Sequence, residues 1–169
     1  ALSLNVFHKY VDRILMTNIA QIVNVLQSMI LTRGDKMVLT PTYFVYEMYK
    51  PHQDALSLPL DIDTPTREVR GDRTIPLVSA TASRDDQGRV HVSLANIDAD
   101  HARKVRITLD DMSVKKVSGT ILHSRRLTDL NTFENPDKIK LCPFKDAKYR
   151  NGAIEVDMPA HSIVTLEIE

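Results

Sequence analysis

The spacing of apolar residues changes once along this chain, near residue 54. Within the first fifty residues, apolar positions recur at the three- and four-residue spacing of one helix face: Leu4, Phe7, Val11 and Ile14. Further on, apolar and polar residues alternate, which is the period of a strand with one buried face. The change in period predicts two units, residues 1–53 and residues 54–169.

The first unit is predicted to be a helix, a strand and a second helix. The apolar stripe indicates an amphipathic helix of three to four turns. The nearly continuous apolar run from Met16 to Leu26 then favours a strand buried on both faces, as parallel sheets require. Thr40 is a good N-cap, Pro41 suits the first helical position, and the second helix is expected to run until Pro51. This order is typical of part of an α/β repeat.

The second unit is predicted to be an antiparallel β-sandwich. The strongest signal is a hairpin, in which two alternating segments flank the turn residues Asp85 to Gly88. Three further alternating segments follow: Val105–Leu109, Ile154–Met158 and Val164–Ile168. Residues 56–76 carry three prolines among charges and are expected to form a long connection. Residues 127–150 are polar and turn-rich and predict an ordered excursion from the sandwich.

Charge, cysteine content and length exclude several classes of protein. Lys plus Arg and Asp plus Glu both number 22, so no net charge attracts nucleic acid. No apolar run approaches the roughly 20 residues that span a bilayer. The single cysteine, Cys142, cannot form an internal disulfide, which fits a cytoplasmic location and leaves secretion open. At 169 residues the chain is too short for a complete α/β barrel. The sequence begins at Ala1 without an initiator Met, which we interpret as the start of an internal segment.

The carboxyl end of the buried strand is where α/β proteins place their chemistry, and here it holds amides. Gln21 and Asn24 each offer a donor and an acceptor, which can orient a hydroxylated ligand or bond to the neighbouring loop. Neither can act as a nucleophile or a general acid. Asp12 and Glu47 lie on the polar sides of the helices, where a solvated carboxylate is expected, and the histidines lack metal-ligand spacing. The sequence therefore predicts no catalytic residue, metal ligand or cofactor site.

Five separated segments resemble one family in their order along the chain. They are Leu4–Arg13, Asn18–Val25, Thr81–Asp85, Asn131–Asp137 and Met158–Val164. Together they are similar to the C-terminal portion of the α-L-arabinofuranosidases of glycoside hydrolase family 51. The resemblance implies the last helix, strand and closing helix of a (β/α)8 TIM barrel in residues 1–53. A jelly-roll-like β-sandwich would follow in residues 54–169.

The family resemblance also implies a function. Such enzymes are retaining glycosidases that remove terminal α-L-arabinofuranosyl groups from arabinan and arabinoxylan oligosaccharides, using two carboxyl groups about 5–5.5 Å apart. Both glutamates would lie upstream of Ala1, so this chain alone is predicted to be inactive. The resemblance implies that Gln21 contacts the sugar, and Asn24 is a weaker candidate that would support Gln21. The implied partners are the rest of the barrel, arabinose-containing oligosaccharides and further copies in a homo-oligomer.

Two other functions fit the same residues. The β-sandwich could bind carbohydrate by itself, but the chain has no Trp and only 5% aromatic residues, and exposed aromatic rings are the usual sugar platform. It could instead brace the barrel and present an oligomer surface, which we prefer for residues 55–169. The equal numbers of positive and negative side chains fit a neutral polysaccharide.

Overall fold

A computed structural model describes residues 1–110 and 112–169. The helices are α1 (Leu2–Lys9) and α2 (Pro41–Tyr49), and a short 3-10 helix spans Lys50–His52. The strands are β1 (Ile30–Arg33), β2 (Lys36–Leu39), β3 (Leu56–Ser57), β4 (Thr66–Val69), β5 (Arg73–Pro76), β6 (Val78–Arg84), β7 (Val90–Asn96), β8 (Arg103–Ile107), β9 (Val117–Leu122), β10 (Cys142–Pro143), β11 (Ala147–Arg150), β12 (Ala153–Met158) and β13 (Ser162–Ile168). No helix in the described ranges is long and apolar enough to cross a membrane.

The predicted antiparallel sandwich is confirmed. A six-stranded sheet, in the order β10-β9-β13-β7-β6-β3, faces a three-stranded sheet in the order β11-β12-β8. Alternate residues of the central strands point into the space between the sheets, so Leu94 and Leu166 pack with Ile154 and Met158 in one apolar core. Gly119 lies where a Cβ atom would come within 2.9 Å of the Leu166 side chain, so a residue without a side chain is needed there.

The hairpin predicted around Asp85 is also confirmed. β6 and β7 pair in register from Val78 opposite Asn96 to Arg84 opposite Val90. The carboxylate of Asp85 accepts hydrogen bonds from the backbone N–H groups of Gln87 (3.0 Å) and Arg89 (2.9 Å), which closes the turn.

The helices of the first unit pack on the outer face of the six-stranded sheet. α2 begins after Thr40 with Pro41 at its first turn, as predicted. Helix α1 is shorter than predicted: it ends at Lys9, and Val11 and Ile14 follow in turns and coil. The apolar stripe continues past Lys9, but Val11 is 54% exposed because none of the described elements covers it.

The predicted buried strand from Met16 to Leu26 is absent. The segment is coil, with one isolated parallel bridge between Val23 and Ile30. Its apolar side chains face solvent, with Leu15 99% and Leu26 87% exposed. A strand needs neighbouring strands to satisfy its backbone groups, and among the described residues the segment has only the single bridge to Ile30. The chain therefore does not show the TIM-barrel strand and helix arrangement that the sequence predicted.

Two regions predicted as connections contain strands. Residues 56–76 include β3 and the β4–β5 hairpin, which turns through Gly71 at a φ of 80°. No local pattern predicts this hairpin, because its strands are short, charged and exposed. Residues 127–150 form mostly coil and include β10 and β11, which agrees with an ordered excursion.

Candidate functional site

Gln21, the predicted sugar contact, lies on the exposed coil between α1 and β1. Its side-chain amide forms no hydrogen bond with any other described residue. The neighbouring backbone is held, because the carbonyl of Ile22 accepts hydrogen bonds from the N–H groups of Met29 (3.0 Å) and Ile30 (3.1 Å). The amide of Gln21 is therefore free to donate and accept toward a ligand from an anchored backbone.

Asn24, the weaker candidate, has a structural role. Its Nδ2 donates to Thr32 Oγ1 at 2.9 Å, and its Oδ1 accepts from the Thr32 N–H at 2.8 Å. Asn24 has a φ of 55°, a left-handed conformation that asparagine tolerates better than most residues. Both ends of its side-chain amide are used to attach the Gln21 segment to β1.

The β1–β2 hairpin comes next along the chain. Its two-residue turn places Gly34 at the first central position with a φ of 61°, a conformation that favours glycine. Behind the hairpin, Thr40 donates its hydroxyl hydrogen to the Ser28 carbonyl at 2.7 Å. The hairpin is therefore fixed at both its start and its end.

The loop at residues 131–139 of the sandwich joins this hairpin. Buried Asn131 donates from Nδ2 to the carbonyls of Leu39 (2.9 Å) and Ile139 (2.8 Å) and accepts from the Ile139 N–H at 2.7 Å. Leu39 is the last residue of β2, so one side chain connects the sandwich loop to the hairpin. This connection links the sandwich to the segment that carries Gln21.

Arg33, at the tip of the same hairpin, makes two contacts with that loop. Its guanidinium lies 4.3 Å from the centroid of the Phe133 ring and donates to Glu134 Oε1 at 2.9 Å. The hydrogen bond from Arg33 is the main reason that the pKa of Glu134 is held below its ordinary value. A charged pair therefore joins the sandwich loop to the same hairpin that is bonded to the Gln21 segment.

A second polar arrangement lies under the helices, and we call it the polar seam. Its members are side chains of the helical segments and hydroxyl groups on the outer face of the six-stranded sheet: Asn5, His8, Tyr49, His52, Ser79, Thr81, Ser83, Ser93 and Thr165. The shortest contact is the Tyr49 hydroxyl donating to Asn5 Oδ1 at 2.6 Å. The ring nitrogens of His52 contact the hydroxyl oxygens of Ser83 (2.7 Å) and Ser93 (2.8 Å). The seam joins residues 1–53 to the sandwich.

Burial sets the protonation of the seam. Desolvation, with smaller contributions from His8 and His91, lowers the pKa of His52 to about 3, so its imidazole is neutral at pH 7. Burial also raises the pKa of the Tyr49 phenol, which stays protonated and able to donate. The seam is therefore built from neutral hydrogen-bonding groups and serves a structural purpose.

The carboxylates with clear shifts are held in the ionised form. Hydrogen bonds from His91 and Arg89 lower the pKa of Asp85, and one from Lys138 lowers that of Asp129. Glu47 pairs with Lys50 at 2.7 Å, as expected of a surface carboxylate. A carboxyl group held ionised lacks the proton that a general acid must donate. These groups can orient a ligand or stabilise the fold.

Sequence reasoning missed the contacts that Arg33, Phe133 and Glu134 make with one another. Residues 131–137 were noticed only as a family-like motif, and no local pattern indicates that Arg33 would reach them across the fold. The seam was missed because serines and threonines that alternate with apolar residues normally face water. By contrast, Tyr49 and Phe44 of α2 pack with Leu122 of the sheet in a small apolar cluster.

Comparisons with known proteins agree with this architecture. An intracellular exo-alpha-L-arabinofuranosidase of Bacteroides ovatus is 56% identical over 169 residues, which is 100% of this chain and 33% of that protein. The crystal structure of the GH51 arabinofuranosidase from Xanthomonas axonopodis pv. citri matches with a TM-score of 0.93 and 41% identity, over 99% of this chain and 34% of that one.

A more distant structure shows the same fold. The thermostable GH51 alpha-L-arabinofuranosidase of Thermotoga petrophila matches with a TM-score of 0.85 and 23% identity, over 98% of this chain and 36% of that one. The chain thus spans about a third of the length of these relatives. The family model described as alpha-L-arabinofuranosidase C-terminal domain matches residues 1–162, and the chain belongs to that family.

Proposed function

We propose that this chain is the C-terminal part of a retaining α-L-arabinofuranosidase that hydrolyses terminal α-L-arabinofuranosyl groups of arabinan and arabinoxylan oligosaccharides. The observation that carries the proposal is 56% identity to the Bacteroides ovatus exo-enzyme along the whole chain. The two catalytic glutamates belong to a remaining part of the enzyme, outside residues 1–169.

The exposure of the segment between α1 and β1 supports the proposal that another part of the enzyme covers it. Apolar side chains such as Leu15, Met16 and Leu26 face solvent, although its backbone is held near Ile22. Several large apolar side chains exposed within one short segment indicate an interaction site. We propose that residues 1–53 close a TIM barrel, that this segment becomes its last strand there, and that residues 54–169 are the β-sandwich.

Hydrogen exchange tests whether residues 16–26 pair with strands outside this chain. In the assembled enzyme, the amides of residues 16–26 should exchange slowly because the segment pairs with other strands on both sides. In the isolated chain they should exchange fast, while β7 and β13 stay protected. Slow exchange of residues 16–26 in a monomer of the isolated chain would overturn this part of the proposal, and intact mass spectrometry would show whether a larger piece accompanies the chain.

Gln21 is the side chain that we propose contacts the arabinofuranosyl unit. Its free amide and anchored backbone suit a hydroxylated sugar. In the assembled enzyme, Gln21→Ala should lower kcat/KM for an aryl arabinofuranoside by the equivalent of about 1–3 kcal/mol, the cost of leaving a polar partner unpaired. Gln53→Ala, at an exposed position after the 3-10 helix, is the matched control and should leave kcat/KM unchanged. Equal kinetics for the two variants would count against Gln21.

The proposal extends to location and assembly. We propose a cytoplasmic enzyme, since the Bacteroides ovatus relative is described as intracellular. We also propose a homo-oligomer, in which the sandwich braces the barrel and presents the surface between copies. Light scattering of the assembled enzyme would test the assembly, and a mass equal to one copy would contradict it.

A further inference from the structure

The side chains of Arg33 and Glu134 are highly exposed, and they form an ion pair with each other. Their side chains are 61% and 74% exposed, and the Arg33 nitrogen lies 2.9 Å from the Glu134 oxygen. Phe133 adds a third contact by lying beneath the guanidinium at 4.3 Å. An isolated surface ion pair contributes roughly 0–1 kcal/mol because two long side chains must be ordered. The ring beneath Arg33 lowers this ordering cost, so the pair presents its free atoms in a defined arrangement.

These free atoms match the chemistry of a sugar. The guanidinium carries five N–H donors, of which the bond to Glu134 uses one. A carboxylate has about four acceptor positions, so Glu134 keeps acceptor capacity beyond the bond from Arg33. Neighbouring hydroxyls of a saccharide can accept from the first group and donate to the second. Glu134 is ionised at neutral pH, as a glutamate is at its ordinary pKa, and the hydrogen bond from Arg33 lowers that pKa further, so both carboxylate oxygens act as acceptors.

The position of the pair connects it with Gln21. β1 begins at Ile30, whose N–H group bonds to the carbonyl of Ile22. Arg33 lies three residues further along β1, which places it roughly 10 Å from Ile30 at the rise of a strand. Asn24 and Thr32 join the two segments between these points. These hydrogen bonds fix the strand that carries Arg33 against the segment that carries Gln21, at a separation on the length scale of a short oligosaccharide.

We propose that Arg33 and Glu134, with Phe133 beneath the guanidinium, form a second saccharide contact. It receives hydroxyl groups of the sugar unit next to the terminal arabinofuranosyl unit that Gln21 holds. The inference rests on the proposed function and adds to it a determinant of preference for oligosaccharides over substrates with a single sugar.

The test compares two substrates in the assembled enzyme. Linear arabinotriose reaches both contacts, whereas 4-nitrophenyl α-L-arabinofuranoside carries one sugar. The measured quantity is the ratio of kcat/KM for arabinotriose to kcat/KM for the aryl glycoside. Arg33→Leu should lower this ratio about tenfold, the scale of one hydrogen bond to a charged group. Glu134→Gln, which preserves size, should lower it several-fold.

A control variant separates this effect from general loss of surface charge. Lys104→Leu removes another exposed ion pair, to Asp157 at 3.7 Å, on the three-stranded sheet, and it should leave the ratio unchanged. An unchanged ratio in Arg33→Leu, or an equal fall in Lys104→Leu, would overturn the second contact while leaving the proposed function intact. A wild-type enzyme that cleaves neither substrate would overturn the proposed function and this inference with it.

Discussion

The two faces of the six-stranded sheet are buried by different chemistry. Along β7, Val92 and Leu94 face the three-stranded sheet in an apolar core, while Ser93 between them faces His52 and Thr165 in the polar seam. Apolar contacts have no direction, so the inner face gains stability from area and fit. Hydrogen bonds need aligned partners, so the outer face accepts the helices in one register. The comparison predicts that the inner face supplies more stability and the outer face more specificity.

The inner face should give the largest loss of stability. Leu94 is 1% exposed, and Leu94→Ala should lower the free energy of unfolding by about 2–5 kcal/mol because the methyl groups leave a cavity. Urea denaturation of the chain measures this through the midpoint at constant m. Leu130→Ala, at a leucine 57% exposed, is the control and should cost less than about 0.5 kcal/mol. Similar losses of stability for both variants would contradict the claim that burial on the inner face supplies the larger part of the stability.

The outer face should give an intermediate loss. Tyr49→Phe keeps the ring but removes the hydroxyl that donates to Asn5 Oδ1, and it should cost about 1–3 kcal/mol because a buried acceptor is left unpaired. A double-mutant cycle with Asn5→Ala isolates the pair, and we expect the two effects not to add. Additive losses would mean that this hydrogen bond does not couple α2 to α1.

Acid should weaken the seam gradually. The pKa of His52 is about 3 in the folded chain and near 6.5 when the residue is unfolded, so folding favours the neutral ring. Its contribution is complete above pH 6.5 and is lost as the pH falls toward 3, at up to about 1.4 kcal/mol per pH unit. Burial lowers the pKa of His8, which acts in the same direction. The free energy of unfolding, measured by urea denaturation, should therefore be lower at pH 5.5 than at pH 7.5 by about 1.4 kcal/mol from His52, with His8 adding to the loss.

Replacing the imidazole tests the source of this pH dependence. His52→Gln retains an amide that can bond to Ser83 and Ser93 but cannot be protonated in this range. Its stability at pH 7.5 should be lower than that of the wild type, and the fall between pH 7.5 and 5.5 should be smaller. An unchanged fall would assign the acid sensitivity to groups outside the seam.

The sandwich was predictable because strand signals are local. Alternation at Ile154–Met158 and at Val164–Ile168 identified β12 and β13, and the turn residues from Asp85 identified the central hairpin. The family assignment was predictable from motifs in sequence order. Gln21 as a sugar contact stays a prediction, and Asn24, the weaker candidate, uses its side chain to bond to Thr32.

What could not be predicted depends on partners distant in the sequence. Residues 16–26 have the composition of a buried strand, but strand formation requires a neighbouring strand, so composition alone cannot decide it. The contact of Arg33 with Glu134 spans 101 residues, and that of Asn5 with Ser79 spans 74. The β1–β2 hairpin was overlooked because each of its strands has only four residues.

The register of the polar seam limits how modular the sandwich can be. Ser79, Thr81 and Ser83 project from β6 at every second position, and each meets a different partner on the helical segments. A chimera that joined these helices to a sandwich from another family would place apolar or mismatched side chains opposite Asn5, His8 and His52. Domain exchange should therefore succeed only when these three hydroxyl residues are transplanted together with the helices.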